Sequence, residues 1–205
     1  MIAAERFRHQ SYTVRTKVFK LFGGSFDIYA PDGSMVLHAS QKAFKLKEDI
    51  RRYSGKDKTE ELLVIKARSI LDFASAYDVE DSVSRQRLGA LKRRGWKSMV
   101  KDEWIVMDHL DNDIGKIKED NLWLGLLRRL MAYFVINPIP QQYHCEMNGA
   151  TVCTFKQNFN PLVKKIQVEF PEGTAGGRGL GPRLEPRMSL AAAILLCAIE
   201  GKQVG

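Results

Sequence analysis

The run "RMSLAAAILLCAIEGKQ" (187–203) constrains this chain more than any other stretch. From Met188 to Ile199 only Ser189 is polar. As a helix, Leu190, Ala191, Ala192, Ala193, Ile194, Leu195, Leu196, Ala198 and Ile199 cover the whole circumference, where a surface helix would keep a polar stripe. At ~1.5 Å per residue the run reaches about 18 Å against roughly 30 Å of bilayer hydrocarbon, too short to span it comfortably. Other parts of the chain must surround it, and a membrane anchor is the competing reading. Arg187 and Glu200 fit helix ends emerging at two rims, with Gly201 as the stop.

Strand signals dominate up to about residue 170. "SFDIYAPDGSMVLHAS" alternates Phe26, Ile28 and Ala30 with polar neighbours, turns at Pro31-Asp32-Gly33 and resumes with Val36 and Leu37, so it reads as a hairpin. "YHCEMNGATVCTF" does the same around Asn148-Gly149, whose residues both tolerate positive φ. Counted outward from that turn, His144 faces Cys153, and Cys145 and Cys153 fall on opposite faces. A weak repeat joins these hairpins, each followed by a basic residue just before an aromatic one (Lys42/Phe44, Arg94/Trp96, Lys156/Phe159) and then another strand. Successive antiparallel strands leave unpaired edges, and closing the sheet into a barrel removes them. The expected fold is therefore mostly β, a closed antiparallel barrel whose interior holds the apolar helix 188–200.

Two further segments stand out. "EDNLWLGLLRRLMAYF" sets Gly125, Arg128, Arg129 and Ala132 on one helical face against Leu122, Trp123, Leu126, Leu127, Leu130, Met131 and Phe134. Such an amphipathic helix can cover a barrel end or lie in a membrane surface. "PEGTAGGRGLGPRLEP" (171–186) reads as a flexible surface connection that lets the last helix enter the barrel. Residues 1–11 are an N-terminal extension and 12–203 one domain. At 205 residues, 44% hydrophobic and 27% charged, the chain can bury a sizeable core. Glu5, Arg6 and Arg8 stand where an export signal would need its apolar segment, and the three cysteines suggest no disulfide framework, so an intracellular protein is expected.

The order of features resembles the tubby C-terminal-like superfamily, specifically its LURP-one-related and phospholipid-scramblase-like members. The resemblance rests on "YTVRTKVFKLFGGSFDIYAPDGSMVLHA", "DIGKIKEDNLWLGLLRR", "FNPLVKKIQVEFP" and "MSLAAAILLCAIEG", which together run from about Tyr12 to Gln203. It implies a twelve-stranded antiparallel barrel around a central hydrophobic helix. It also implies Lys and Arg side chains on the barrel that hold phosphoinositide headgroups. The acidic calcium segment of scramblases corresponds to 160–172, which offers only Glu169 and Glu172 and carries Lys164 and Lys165 in its midst, so no calcium site is expected.

Other chemistries fit poorly. "GGRGLG" (176–181) lacks the βαβ unit of a dinucleotide loop. Asp108, Asp111, Asp113, Glu119 and Asp120 miss the calcium-loop spacing and read as a polar turn. His109 and His144 have no partner at metal-ligand spacing. No catalytic set, cofactor or metal is expected. What remains is the net charge of +8 and its basic clusters, which favour an acidic partner. Multiply charged phosphates suit Arg forks and Lys point charges. The expected site is Lys42, Lys45, Lys92, Arg93, Arg94, Lys97, Arg128, Arg129, Lys164 and Lys165. Its expected ligand is acidic phospholipid or another anion, held by a non-enzymatic cytoplasmic barrel that meets the membrane peripherally. A protein-interaction module is the alternative reading and a nucleic-acid binder the third, since only Trp96 and Phe44 could stack bases there.

Overall fold

The structure, a computed structural model, describes residues 5–17, 25–40, 50–53, 61–68, 76–94, 103–120, 141–158, 163–172 and 183–200. These form β1 (Ser11–Lys17), β2 (Ser25–Tyr29), β3 (Met35–Ser40), β4 (Ile50–Tyr53), β5 (Glu61–Ala67) and β6 (Ala76–Asp81). There follow β7 (Arg87–Arg94), β8 (Glu103–Met107), β9 (Asp113–Glu119), β10 (Gln142–Met147), β11 (Ala150–Asn158), β12 (Val163–Glu169) and the helix α1 (Pro186–Glu200). Each strand pairs antiparallel with its chain neighbours, and β1 pairs with β12 to close the barrel. The three repeats fall four strands apart: their hairpins are β2–β3, β6–β7 and β10–β11, and the strands that follow are β4, β8 and β12.

Among the described residues, tight turns join β2–β3, β6–β7, β8–β9 and β10–β11 at one rim, and short polar side chains hold three of them. Asp32 accepts from the Ser34 amide at 2.9 Å, Asp81 from the Val83 amide at 2.8 Å, and Asp108 from the Leu110 amide at 2.8 Å. Asn148 and Gly149 take φ of 50° and 79°, the conformation that a two-residue hairpin turn needs. The register slips by one residue in β2–β3, β4–β5, β6–β7, β8–β9 and β10–β11, while the other ladders run without a slip. The residues left over are Val36, Leu62, Leu88, Ile114 and Val152, all aliphatic. Val36, Leu62 and Val152 are buried, and Leu88 and Ile114 pack against the core while partly exposed. A bulge of this kind sharpens the local twist, which helps a sheet to curl into a closed wall.

The slip in β10–β11 corrects two expectations at once. Val152 is the extra residue, so Cys145 stands opposite Cys153, and His144 stands opposite Thr154. Both thiols are fully buried on the inner face. His144 lies on the outer wall, with Nδ1 against Asp120 and Nε2 3.0 Å from Glu146.

The helix occupies the interior as its composition demands. Met188 through Cys197 are all buried, and α1 packs against β1, β7 and β12. It starts two residues before the expected boundary because Glu185 caps it: the Glu185 carboxylate accepts from the Arg187 amide at 2.9 Å, and Pro186 takes the first helical position. Arg187 does not emerge freely at the rim. It is half-buried, pairs with Asp81 and with Glu185 at 2.6 Å, and lies over the Phe7 ring at 5.7 Å. Residues 5–10 also belong to the barrel rather than to an extension. Phe7 is buried, the Tyr12 hydroxyl donates to the Arg6 carbonyl at 3.3 Å, and the Phe170 amide donates to the Gln10 carbonyl at 2.9 Å.

Candidate anion-binding face

Alternation along β7 decides the fate of its three consecutive cations. Leu91 is buried, so Lys92 and Arg94 stand on the outer face and are exposed, whereas Arg93 falls on the inner row opposite Trp104. Arg93 lies close enough to Tyr77 for its charge to act on the phenol, which burial pushes above its ordinary pKa. Tyr77 and Trp104 pack with ring centroids 6.0 Å apart. The predicted trio is thus split: two members face solvent and one helps to line the mouth of the barrel.

The outer neighbours of Lys92 and Arg94 complete a frame. Across β8 and β9 the register runs Arg94–Glu103–Lys118, and one step along it runs Lys92–Ile105–Lys116. Strands ~4.8 Å apart and ~3.4 Å of rise per residue put the four cations at the corners of a patch about 10 Å by 7 Å. Ile105 is buried beneath it. Glu103 sits mid-edge with its side chain 17% exposed, 3.6 Å from Arg94 and 3.8 Å from Lys116, both too long for hydrogen bonds. Lys118 also reaches Glu146 at 2.6 Å, a contact that raises the lysine's pKa and lowers the carboxylate's. Among the described residues, Lys92 has no ion pair.

Elsewhere on the wall, four cations are matched by carboxylates at short range. Lys66 meets Glu80 and Lys156 meets Glu169, each at 2.6 Å, and Arg68 and Arg87 both grip Asp78 and Asp111. The acidic stretch 108–120 is therefore divided between turn capping by Asp108, arginine pairing by Asp111 and the His144 contact by Asp120. Among the described residues no group of three or more His, Cys, Asp or Glu side chains has metal-binding geometry.

Lys42, Lys45, Lys97, Arg128 and Arg129, and with them the amphipathic segment 121–134, lie outside the described residues. Lys164 stands opposite Thr16 in the β1–β12 ladder, and its side chain also lies outside what is described. Lys165 is half-buried, opposite Arg15 on one side and Asn158 on the other, three strands from Lys118 around the wall by way of β10 and β11. The structure therefore does not join it to the β7–β9 frame. Lys116 and Lys118 were missed, although "DIGKIKE" alternates and places both on the face opposite Ile117.

The fold defines a class: a closed twelve-strand antiparallel barrel filled by a single helix, among the described residues. No helix among them is long and apolar enough to cross a membrane. No protein-family model matches the sequence, and no curated protein matches it in sequence. The chain is similar in fold to the X-ray structure of a protein from Arabidopsis thaliana, with a TM-score of 0.51 at 12% identity over 98% of each chain.

Proposed function

We propose that this chain is a tubby-like, LURP-one-related barrel that binds an acidic phospholipid headgroup on the outer face of β7–β9, without catalysing a reaction. It works inside the cell, on the surface of a membrane. The observation that carries this reading is the frame of Lys92, Arg94, Lys116 and Lys118, in which Arg94 and Lys116 share Glu103 beyond hydrogen-bond reach, Lys118 pairs with Glu146, and Lys92 has no ion pair among the described residues. A phosphate entering the frame would find Lys92 exposed and without an ion pair among the described residues, and Arg94 and Lys116 exposed and only loosely held by Glu103.

The test is binding to vesicles of phosphatidylcholine with and without phosphatidylserine or a polyphosphorylated inositol lipid, at low and physiological salt. Each cation near an acidic surface contributes about 1 kcal/mol, so Lys92→Ala with Arg94→Ala should weaken binding roughly 30-fold. The melting temperature should barely move, because exposed charges contribute about 0–1 kcal/mol to stability. Wild-type protein that shows no preference for acidic vesicles at low salt would overturn the proposal in favour of a protein-interaction module.

A further inference from the structure

The bulge at Val152 makes a pair out of two cysteines that an unbroken ladder would separate. Cys145 and Cys153 are direct cross-strand partners, both fully buried and both free thiols. Opposed residues of an antiparallel ladder have Cα atoms ~4.5–5.5 Å apart, inside the roughly 4.4–6.8 Å that a disulfide spans. The two groups feel one another, since Cys145 helps to raise the Cys153 pKa. The Cys153 Sγ–H points to the Thr154 carbonyl at 3.8 Å, a weak contact that gives way easily.

We propose that Cys145 and Cys153 form a dithiol that closes to an intramolecular disulfide across β10–β11 when a small-molecule disulfide such as oxidised glutathione reaches it. One cysteine, as thiolate, attacks a glutathione sulfur and expels glutathione thiolate, leaving a mixed disulfide. The second cysteine attacks the protein sulfur of that bond and expels the other glutathione. Two protein thiols are oxidised by two electrons, one glutathione disulfide is reduced to two thiols, and the two cysteine protons end on glutathione.

The closed barrel delays the first step in two ways. Neither thiol has exposed surface, and burial pushes Cys145 up to about 12 and Cys153 higher still, so the attacking thiolate is scarce. Oxidation therefore proceeds through local opening of the hairpin. Once the second step has expelled the bulky glutathione, the bonded hairpin can close again and shield the disulfide from reductant. The pair thus acts as a staple set by exposure of β10–β11 to an oxidising thiol pool.

The folded full-length protein is incubated with oxidised glutathione, then denatured and treated with N-ethylmaleimide. Its mass should show the loss of two hydrogens and a single alkylated thiol, Cys197, with cleavage at Met147 locating the link between Cys145 and Cys153. Hydrogen exchange at the β10–β11 amides should slow in the oxidised form. Cys145→Ala should abolish the two-hydrogen loss. Three alkylated thiols, a lasting glutathione adduct, or a link through Cys197 that persists in Cys145→Ala would each overturn the assignment.

Discussion

A Cβ on residue 89 would stand 2.3 Å from the Met107 carbonyl oxygen and 3.0 Å from the Met188 side chain, so only glycine lets β7 lie this close to β8 and α1. Gly115 is similarly confined, 2.7 Å from the Glu146 carbonyl oxygen and 2.8 Å from Met147. Gly149 differs in kind, with open space around it and a φ of +79° that disfavours a side chain. Gly89→Ala must move backbone and should cost about 2–3 kcal/mol, against about 1–2 kcal/mol for Gly149→Ala. Denaturant titration of the two variants checks the order, and an equal or smaller loss for Gly89→Ala would contradict the packing account. At this scale "LKRRGWK" shows why parity outranks composition. Lys92 and Arg94 share a face, and Arg93, chemically the same as Arg94, belongs to the mouth of the barrel.

Among the elements, α1 was the most legible, because a run that is apolar on every side has to be enclosed. Its start at Pro186 was also readable from Glu185-Pro186, a carboxylate cap followed by a residue suited to the first turn. The bulges were present as adjacent apolar pairs that break strand alternation: Val36-Leu37, Leu62-Leu63, Leu88-Gly89, Ile114-Gly115 and Val152-Cys153. Alternation assumes an unbroken ladder, which is why the two cysteines were assigned to opposite faces. Burial of α1 sets the size of its mutational effects. Leu195→Ala should cost about 2–5 kcal/mol, while Leu195→Asp, which leaves a charge in the interior, should prevent folding. Thermal unfolding of the first variant and solubility of the second measure this, and a soluble Leu195→Asp protein with the wild-type melting curve would remove α1 from the core.

For the molecule as a whole, stability should fall in alkali. Burial pushes Tyr12 up to about 12, Cys145 up to about 12, and Cys153 and Tyr77 upward as well. The unfolded chain releases these protons first, so above about pH 9 it binds fewer than the folded chain, and the unfolding free energy declines as pH rises. Melting temperatures between pH 8 and 11 should drop, and Cys145→Ala with Cys153→Ala should flatten the decline relative to wild type. A profile as steep in that double variant as in wild type would show that the thiols are not its source. The site was less legible than the fold, because Lys66, Lys118 and Lys156 look alike in sequence until register gives each its carboxylate. One consequence of the topology concerns time. The helix that fills the barrel follows all twelve strands, so a ribosome working at roughly 5–20 residues per second makes the wall for about 10–30 s before its filling exists. Throughout that interval the nascent chain carries inner faces with nothing to cover them, and chaperones that shield apolar strands have their longest opportunity before residue 186 is synthesised.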